Sequence, residues 1–405
     1  MRSSIMPGGI TFQSVRRKLL AGGVLAALTA AVLAANTARV AETPAAGAGS
    51  QLSALGPGAL GSLRFELSKL GTGKPELDKD LAQRALLSSP LSADPFIGFA
   101  FLGLRDNPKG TIGNEDKMLL EALRRDPRSR TARVLRLRQL AASGELKPAF
   151  QELAILQRLN PQLVDVVMGS IAQRIATPLN VDQALDAISG HDSLYLPLVA
   201  SMGGKEKTPE VVVRLAERLP ARVLDDPDTR KNLIKHLVAV GAFSQARTIW
   251  SRGMAAGGGL VHSPDFSDAR APAPFNWLLS VNTTGAAERS KDGGIYVSYY
   301  DRQPGALVSQ LLTLAPGSYR ATAEFEVISG GADNVRLRVS CHGQTGYLAE
   351  IPLRQGSRSV ALPFAVPAQG CNGQILALFG AASQKRGEMQ VSVRRIDVVP
   401  AGGQQ

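Results

Sequence analysis

The chain divides into two stretches with different patterns of hydrophobic and polar positions. From residue 52 to about 255, apolar residues recur every three or four positions, as in Leu119, Ala122 and Leu123. This spacing places apolar side chains on one face of a helix and predicts a series of amphipathic helices. After about residue 260, short alternating segments are separated by turns rich in Gly and Pro, which predicts β-strands.

The second stretch contains eight predicted strands. In the segment ATAEFEVI, Ala323, Phe325 and Val327 are predicted to face a core, and Glu324 and Glu326 to face solvent. So many short strands predict a β-sandwich or jelly roll over residues 261–400. The predicted strands are 295–300, 309–314, 319–328, 335–341, 347–351, 359–364, 374–379 and 389–399.

The start of the chain has the pattern of a membrane anchor or signal segment. A basic segment, 1–18, precedes an uncharged apolar run, 19–35, and an Ala/Gly-rich linker, 36–51. Basic residues stay on the cytoplasmic side of a membrane. The chain after the apolar run is therefore predicted to lie on the opposite, non-cytoplasmic side. We therefore expect a single-pass inner-membrane protein whose bulk is periplasmic. The alternative is a soluble exported periplasmic protein whose first segment is removed.

Prolines in the helical stretch recur at a regular interval. Pro90, Pro127, Pro161 and Pro227 are separated by 37, 34 and 66 residues, and the last interval is about twice 33. Intervals near 34 are typical of a repeated helix–turn–helix unit. The prolines are predicted to end helices, because proline cannot donate the backbone hydrogen bond of a helix interior.

Two segments of this stretch share one spacing of small and large residues and resemble tetratricopeptide repeats. Arg133 and Arg136 depart from the pattern, because apolar residues are expected at their positions. The resemblance implies an α-solenoid over 52–255 that docks a protein partner on a concave surface. The alternative is a spacer between membrane and cargo. The matching residues are Gly144, Leu146, Ala149, Leu153 and Pro161, and then Gly241, Phe243, Ala246 and Trp250.

The sheet-forming stretch follows a Gly-rich linker, 256–260, and contains two motifs. Asp265-Phe266 precedes Pro274-Phe275-Asn276-Trp277, and residues 310–320 read QLLTLAPGSYR. These motifs resemble those of carbohydrate-binding modules with the galactose-binding-like jelly-roll fold. The resemblance implies an antiparallel jelly roll and a polysaccharide as a candidate partner.

Aromatic residues near the predicted strand 295–300 form the candidate glycan site. Tyr296 and Tyr300 are predicted to lie on one face of this strand, and sugar binding uses aromatic faces with planar polar partners. The nearest polar candidates are Asn276, Asp301 and Arg302. The alternative is an aromatic rim without a ligand.

The two cysteines, Cys341 and Cys371, both lie in the predicted sandwich. In an oxidising compartment, two cysteines in one small domain are predicted to form a disulfide. The alternative is two independent buried thiols.

Composition changes this picture little. The chain has 405 residues, 44% of them hydrophobic and 20% charged, as in ordinary folded proteins of several domains. About half of the net charge of +12 lies in residues 43–255. This positive charge would attract anionic lipid or acidic polysaccharide. The alternative is that these basic residues form an ordinary solvated helix surface. Nucleic acid is not expected as a partner beyond a membrane.

No motif in the sequence indicates catalysis. GxSxG and HExxH are absent, and no strand precedes the GxGxxG match at 56–61. Four scattered histidines and two cysteines exclude a multi-thiolate zinc site. We therefore expect no catalytic residue, no cofactor and no metal.

These features predict a membrane-anchored periplasmic adaptor without catalytic activity. Its helical repeats would dock a protein partner, and its sandwich would contact glycan during synthesis or export of a surface polysaccharide. The first alternative is a polysaccharide hydrolase or lyase with acidic residues in loops. The second is a purely structural protein-assembly factor.

Overall fold

A computed structural model describes residues 58–70, 75–106, 113–203, 208–252, 259–330, 333–381 and 387–402. The chain forms two compact units, which divide between His236 and Leu237. The first unit is helical, and the second contains an antiparallel β-sandwich of two sheets. The predicted order of α structure followed by β structure is confirmed.

The predicted segments 1–18, 19–35 and 36–51 lie outside the described residues. Within the described part of the chain, no helix combines the length and the apolar character that crossing a bilayer requires.

The helices follow the amphipathic pattern of the sequence. Leu119, Ala122 and Leu123 are buried, as the spacing predicts, and contribute to a core shared by the first five helices. A short 3-10 helix, Asp192–Leu194, precedes α9. The helices are α1 (Ala59–Ser68), α2 (Lys79–Ser88), α3 (Asp94–Asp106), α4 (Asn114–Arg125), α5 (Arg130–Ser143), α6 (Leu146–Leu159), α7 (Pro161–Arg174), α8 (Pro178–Ile188), α9 (Tyr195–Ser201), α10 (Pro209–Arg218), α11 (Ala221–Leu224), α12 (Pro227–Ala239) and α13 (Phe243–Trp250).

Two of the four regularly spaced prolines also begin helices, which the spacing did not predict. Pro161 and Pro227 are the first residues of α7 and α12. The first helical position needs no backbone donor, and proline already has the backbone angle of a helix there. The side chain of Asn160, just before Pro161, accepts a hydrogen bond from the backbone N–H of Leu163 and caps α7. Pro90, Pro127 and Pro161 each lie two residues after the last residue of a helix, as predicted.

The two arginines that depart from the repeat pattern are paired with acidic residues. Arg133 Nη1 lies 2.6 Å from Glu152 Oε2, and Arg136 pairs with the same carboxylate. Arg136 Nε also lies 2.9 Å from Asp116 Oδ1. Glu152 is buried on α6, and its two arginine partners satisfy the charge. An ion cluster therefore replaces apolar contact at this position.

Gly144 and Gly241 have left-handed backbone angles, φ 81° and 79°, and each lies between two consecutive helices. This angle favours glycine and turns the chain from α5 to α6 and from α12 to α13. The helix–turn–helix units that the spacing predicts are thus present at both places. The tetratricopeptide arrangement and the solenoid stay predictions.

The second unit starts at Leu237, within α12, and contains α13 as well as the sandwich. The predicted domain bounds, 52–255 and 261–400, stay predictions. In the predicted linker 256–260, the structure describes residues 259 and 260, and Leu260 packs against the sandwich core.

In the part of the chain that the structure describes, ten strands form two five-stranded sheets. Sheet A has the order β1-β4-β9-β6-β7, and sheet B has the order β2-β3-β10-β5-β8. All the strand pairs are antiparallel. The strands are β1 (Leu278–Leu279), β2 (Gly285–Arg289), β3 (Ile295–Tyr299), β4 (Gly305–Leu312), β5 (Gly317–Ser329), β6 (Val335–Cys341), β7 (Ala349–Pro352), β8 (Ser359–Val366), β9 (Gln374–Gly380) and β10 (Met389–Pro400).

The core of the sandwich lies between the inner faces of the two sheets. In β5, Ala323 and Phe325 are buried and Glu324 and Glu326 are exposed, as the alternation predicts. Val327 is partly buried against the same core. Eight of the ten described strands, β3 to β10, correspond to predicted strands, and β1 and β2 were not predicted. β1 has two residues, and β2, GAAER, lacks the alternation of branched and polar residues that marks a strand.

Candidate functional site

The outer face of sheet A carries a cluster of charged and aromatic residues. In β6, Val335, Leu337 and Val339 are fully buried in the core. Because side chains alternate along a strand, Arg336 and Arg338 point to the opposite face. β6 therefore anchors in the core and presents two guanidinium groups on the outside of the sheet.

Strand pairing sets the neighbours of these two arginines. Arg338 is opposite Glu350 of β7 on one side and Ala377 of β9 on the other. Arg336 is opposite Phe379 of β9. Residues directly opposite each other in an antiparallel pair share a face, so these side chains occupy one surface.

Glu350 is held by both arginines. Arg336 Nη1 donates to Glu350 Oε1 at 2.5 Å, and Arg338 Nε and Nη2 donate to Oε2 at 2.9 and 2.7 Å. Partial burial alone would raise the pKa of Glu350, but the hydrogen bonds from Arg338 and Arg336 outweigh it and lower that pKa. The carboxylate is therefore ionised in neutral solution, and its charge is satisfied within the cluster.

Two aromatic rings flank Arg338. Its Cζ lies 3.5 Å from the centroid of the Phe379 ring and 5.1 Å from that of the Tyr347 ring. Both distances are in the range of cation–π contact. Tyr347 is 54% exposed, so its ring is available to a molecule in solution. We call the five residues Arg336, Arg338, Tyr347, Glu350 and Phe379 the outer-face cluster.

A disulfide anchors the connection that carries Tyr347. Cys341, the last residue of β6, is bonded to Cys371, with Cα atoms 5.2 Å apart. This confirms the predicted pairing and excludes two independent thiols. Gln344 Nε2, in the same connection, donates to the carbonyl of Gly370 at 2.6 Å. These two links tie residues 342–348 to the loop before β9 and restrict where Tyr347 lies.

Helix α13 packs against the sandwich through aromatic side chains. The ring of Phe243 lies 5.0 Å from that of His342 and rests on Gly373, where an added Cβ would lie 2.7 Å from it. Trp250 packs against Phe275, and its Nε1 donates to the carbonyl of Pro272 at 2.7 Å. The helix is thus a structural part of the second unit.

The predicted tyrosine site lies on the other sheet. Tyr296, 40% exposed, is on the outer face of sheet B, opposite Glu288 and Ser392. Tyr299 is fully buried on the opposite face of the strand. Tyr300 follows the last residue of β3 and is partly exposed.

The two charged residues of the predicted site continue the same segment. Asp301 has a left-handed φ of 52°, and its Oδ2 accepts the backbone N–H of Gly387 at 2.8 Å. This contact gives Asp301 a structural role between two loops. Arg302 is exposed. Glycan binding by Tyr296, Tyr300, Asp301 and Arg302 stays a prediction.

Asn276 is separated from solvent and has a structural role. It is 1% exposed, and its Nδ2 donates to the carbonyls of Asp268 and Ala271 at 2.9 and 2.7 Å. Its Oδ1 accepts the backbone N–H of Trp277. With these partners the side chain orders the loop before β1. Trp277 is buried in the core, and its Nε1 donates to the carbonyl of Ser263.

The second motif also serves the fold. The amide of Gln310 is buried and exchanges two hydrogen bonds of 2.9 Å with the backbone of His262. Tyr319 donates its hydroxyl to the carbonyl of Ala315 across the Pro-Gly turn at 2.9 Å. Both residues close loops onto the sheets, which accounts for their place in the motif.

The outer-face cluster was not among the predicted sites, although the sequence contains a pattern that indicates it. The segment VRLRVSC alternates apolar residues with Arg336 and Arg338, and Tyr347 and Glu350 lie in the next predicted strand. This alternation predicts that the two arginines share the outward face of one strand. Phe379 could not be assigned to this surface, because its position follows from the pairing of β6 with β9.

Metal binding finds no support among the residues that the structure describes, since no three His, Cys, Asp or Glu side chains come together there. His262 Nε2 instead lies 2.8 Å from Asp268 Oδ2. The hydrogen bond from His262, with backbone hydrogen bonds, lowers the pKa of Asp268 to about 2. This pair belongs to the loop before β1.

No family model matches the sequence, and no curated protein matches it. Among solved structures, it is similar to a family 4 carbohydrate-binding module, at 10% identity and a TM-score of 0.27, over 36% of this chain and 99% of that one. A family 61 module in complex with β-1,4-galactotriose matches at 12% identity and a TM-score of 0.25, over 35% and 98%. A module of Cellvibrio mixtus lichenase 5A in complex with cellotriose matches at 17% identity and a TM-score of 0.20, over 29% and 90%.

Proposed function

We propose that this protein is a non-catalytic glycan-binding adaptor and that the outer-face cluster of sheet A holds the carbohydrate. The observation that carries the proposal is the exposed ring of Tyr347 beside Arg338, with the guanidinium 5.1 Å from the ring centroid. Sugar rings have an apolar face that packs on aromatic rings and hydroxyl groups that need polar partners. Tyr347 provides the first, and the Arg336–Glu350–Arg338 group provides the second.

Contacts within the protein hold the side chains of the outer-face cluster in place. Arg338 is fixed by Glu350 on one side and by the Phe379 ring below it, and Tyr347 follows a connection closed by the disulfide. Side chains held in place lose little conformational entropy when a ligand binds. This favours the outer-face cluster over an ordinary solvated surface of the same composition.

The chemistry of Glu350 supports binding and disfavours catalysis at this site. A glycosidase needs a carboxylic acid with a raised pKa to protonate the leaving oxygen. The arginines lower the pKa of Glu350 instead. We therefore propose that the cluster binds glycan and leaves it intact.

The adaptor role combines this site with the rest of the chain. The basic segment and the uncharged run 19–35 support delivery across a membrane, and the disulfide supports an oxidising compartment. In this proposal the helical unit contacts a protein partner in the periplasm, and the sandwich holds a surface polysaccharide during its synthesis or export.

Affinity electrophoresis of the full-length protein tests the glycan site. The gels contain galactan, mixed-linkage β-glucan, xylan or polygalacturonate, and Tyr347→Ala is compared with Tyr296→Ala. Tyr296 lies on a strand of sheet B and Tyr347 in the connection between two strands of sheet A, and both are exposed, so they make a matched pair. We expect at least one polysaccharide to retard the wild type, and Tyr347→Ala to lose at least fivefold in affinity.

Each other outcome contradicts part of the proposal. Loss of retardation in Tyr296→Ala with normal binding in Tyr347→Ala would move the site to sheet B. Normal mobility of the wild type in all four gels would remove glycan binding as the function of the sandwich.

A further inference from the structure

The outer face of sheet A carries more positive charges than negative charges. In the described strands of sheet A, the three cross-strand rows of this face carry three charged residues, Arg336, Arg338 and Glu350. The other positions on these rows are uncharged: Leu278, Ala306, Ser309, Leu311, Ser340, Pro352, Ile375, Ala377 and Phe379. Two guanidinium groups and one carboxylate leave a net charge of +1 on the face.

Each of the two arginines has one terminal guanidinium nitrogen without a hydrogen-bond partner among the described residues. Arg338 uses Nε and Nη2 for Glu350, and Arg336 uses Nη1 for Glu350 and Nε for the carbonyl of Asp333. Arg338 Nη1 and Arg336 Nη2 have no partner among the described residues, and neither is among the unpartnered atoms closed off from solvent. Both can therefore donate to a molecule on the surface.

Glu350 does not oppose an anion at this position. Each of its oxygens already accepts a hydrogen bond from an arginine. The Glu350 side chain is 12% exposed, whereas the side chains of Arg336 and Arg338 are 32% and 20% exposed. The accessible part of the cluster is consequently its cationic part.

The geometry places this cationic part next to the aromatic ring. Arg338 Cζ lies over the Tyr347 ring, 5.1 Å from its centroid, within the range of a cation–π contact. A pyranose that contacts the exposed part of the Tyr347 side chain would lie beside this guanidinium group. Guanidinium groups bind carboxylates and sulfates through paired N–H donors, with more specificity than a lysine would give.

We propose that the outer-face cluster selects an anionic glycan, in which a carboxylate or sulfate attached to the sugar ring pairs with Arg338 and Arg336. This inference rests on the proposed glycan-binding function and adds the class of ligand. The charge on the sugar then provides most of the preference for the anionic glycan, and a neutral polymer with the same backbone binds weakly.

The test uses pairs of polymers that differ in charge. Isothermal titration calorimetry with the full-length protein compares polygalacturonate with its fully methyl-esterified form, and dextran sulfate with dextran. We expect affinity for one anionic polymer at least tenfold above that for its neutral partner, decreasing as salt is raised. Preference for polygalacturonate identifies a ring carboxylate, and preference for dextran sulfate identifies a sulfate ester.

Two arginine variants separate this site from general attraction to a basic protein. Arg336→Gln should reduce the preference for the anionic polymer to less than threefold. Arg395→Gln removes the same charge from β10 of the other sheet, where Arg395 pairs with Asp397, and should leave the preference unchanged. Equal loss in the two variants, or none in either, would overturn the inference.

Binding of the neutral polymers separates failure of the anionic preference from failure of the proposed glycan-binding function. Binding of methyl-esterified polygalacturonate or β-glucan as tightly as of the anionic polymers, with sensitivity to Tyr347→Ala, would remove the anionic preference and keep the glycan site. Failure of every polymer to bind would remove both.

Discussion

Arg338 and Phe379 are in direct contact on the outer face of sheet A, with the guanidinium carbon 3.5 Å from the ring centroid. They are 41 residues apart in the sequence, and the pairing of β6 with β9 brings them together. Phe379 is directly opposite Arg336, so Arg338 reaches it along the strand. The ring shields one face of the guanidinium from water, and Glu350 satisfies its charge. This contact gives the candidate site a fixed cation.

Replacing Glu350 with Gln should destabilise the sandwich by about 1–3 kcal/mol at neutral pH, because two arginines lose a charged partner. The pKa of Glu350 is lowered from its usual 4.5 in the folded state. Its stabilisation is therefore complete above about pH 4.5 and is lost as the pH falls through the lower folded value. The stability difference between wild type and Glu350→Gln should thus shrink on acidification.

Urea unfolding followed by tryptophan fluorescence measures this difference. Both tryptophans, Trp250 and Trp277, lie in the second unit and report on it. Glu326→Gln, at an exposed position of β5, serves as the control. A pH-independent difference for Glu350→Gln would show that the ion cluster does not contribute in this way.

Removing the disulfide should lower the stability of the second unit. The bond joins residues 30 apart in sequence, and closing a loop of this length contributes about 2–4 kcal/mol. A Cys341→Ser, Cys371→Ser double variant should show a lower urea midpoint by tryptophan fluorescence. The wild type in reductant should approach the same midpoint, whereas reductant should not affect the variant. An unchanged midpoint in the variant would contradict the prediction.

Gly373→Ala tests the packing of α13 on the sandwich. The new Cβ would lie 2.7 Å from a carbon of the Phe243 ring, so the ring must move, at a cost of about 1–3 kcal/mol. Combining it with Phe243→Ala should remove most of this additional cost, and a double-mutant cycle measures the coupling. Gly346→Ala is the control, since no heavy atom lies within 4 Å of its added Cβ. Additive effects of the two substitutions would show that the contact is not formed.

Glu152→Gln tests the ion cluster of the helical unit. Arg133 and Arg136 are partly buried and both pair with Glu152, so removing its charge should destabilise this unit by about 3 kcal/mol. Far-ultraviolet circular dichroism during thermal unfolding measures the loss of helix. Glu145→Gln, at an exposed position just before α6, should change stability little. Equal stability of both variants would mean that Glu152 has no energetic role.

Much of the architecture follows from local pattern. A spacing of three and four predicts the helices, and alternation predicts eight of the ten strands, because each element buries one face whatever its partner is. The disulfide was also predictable, since a single pair of cysteines in one domain leaves one intramolecular pairing. Helix starts were less clear: proline suits both the first position of a helix and the residue after its end, and sequence spacing alone does not separate these roles.

The tertiary structure decided which side chains share a surface. Tyr296 and Asn276 both looked suitable as ligand contacts, yet Tyr296 is exposed on sheet B while Asn276 is buried in loop hydrogen bonds. Arg336, Glu350 and Phe379 come from three strands and meet through strand order and register. Amino-acid pattern determines which face of a strand is apolar, because that depends on neighbours along the chain. Which polar residues meet depends on pairing between distant segments, and that is decided when the whole sandwich packs.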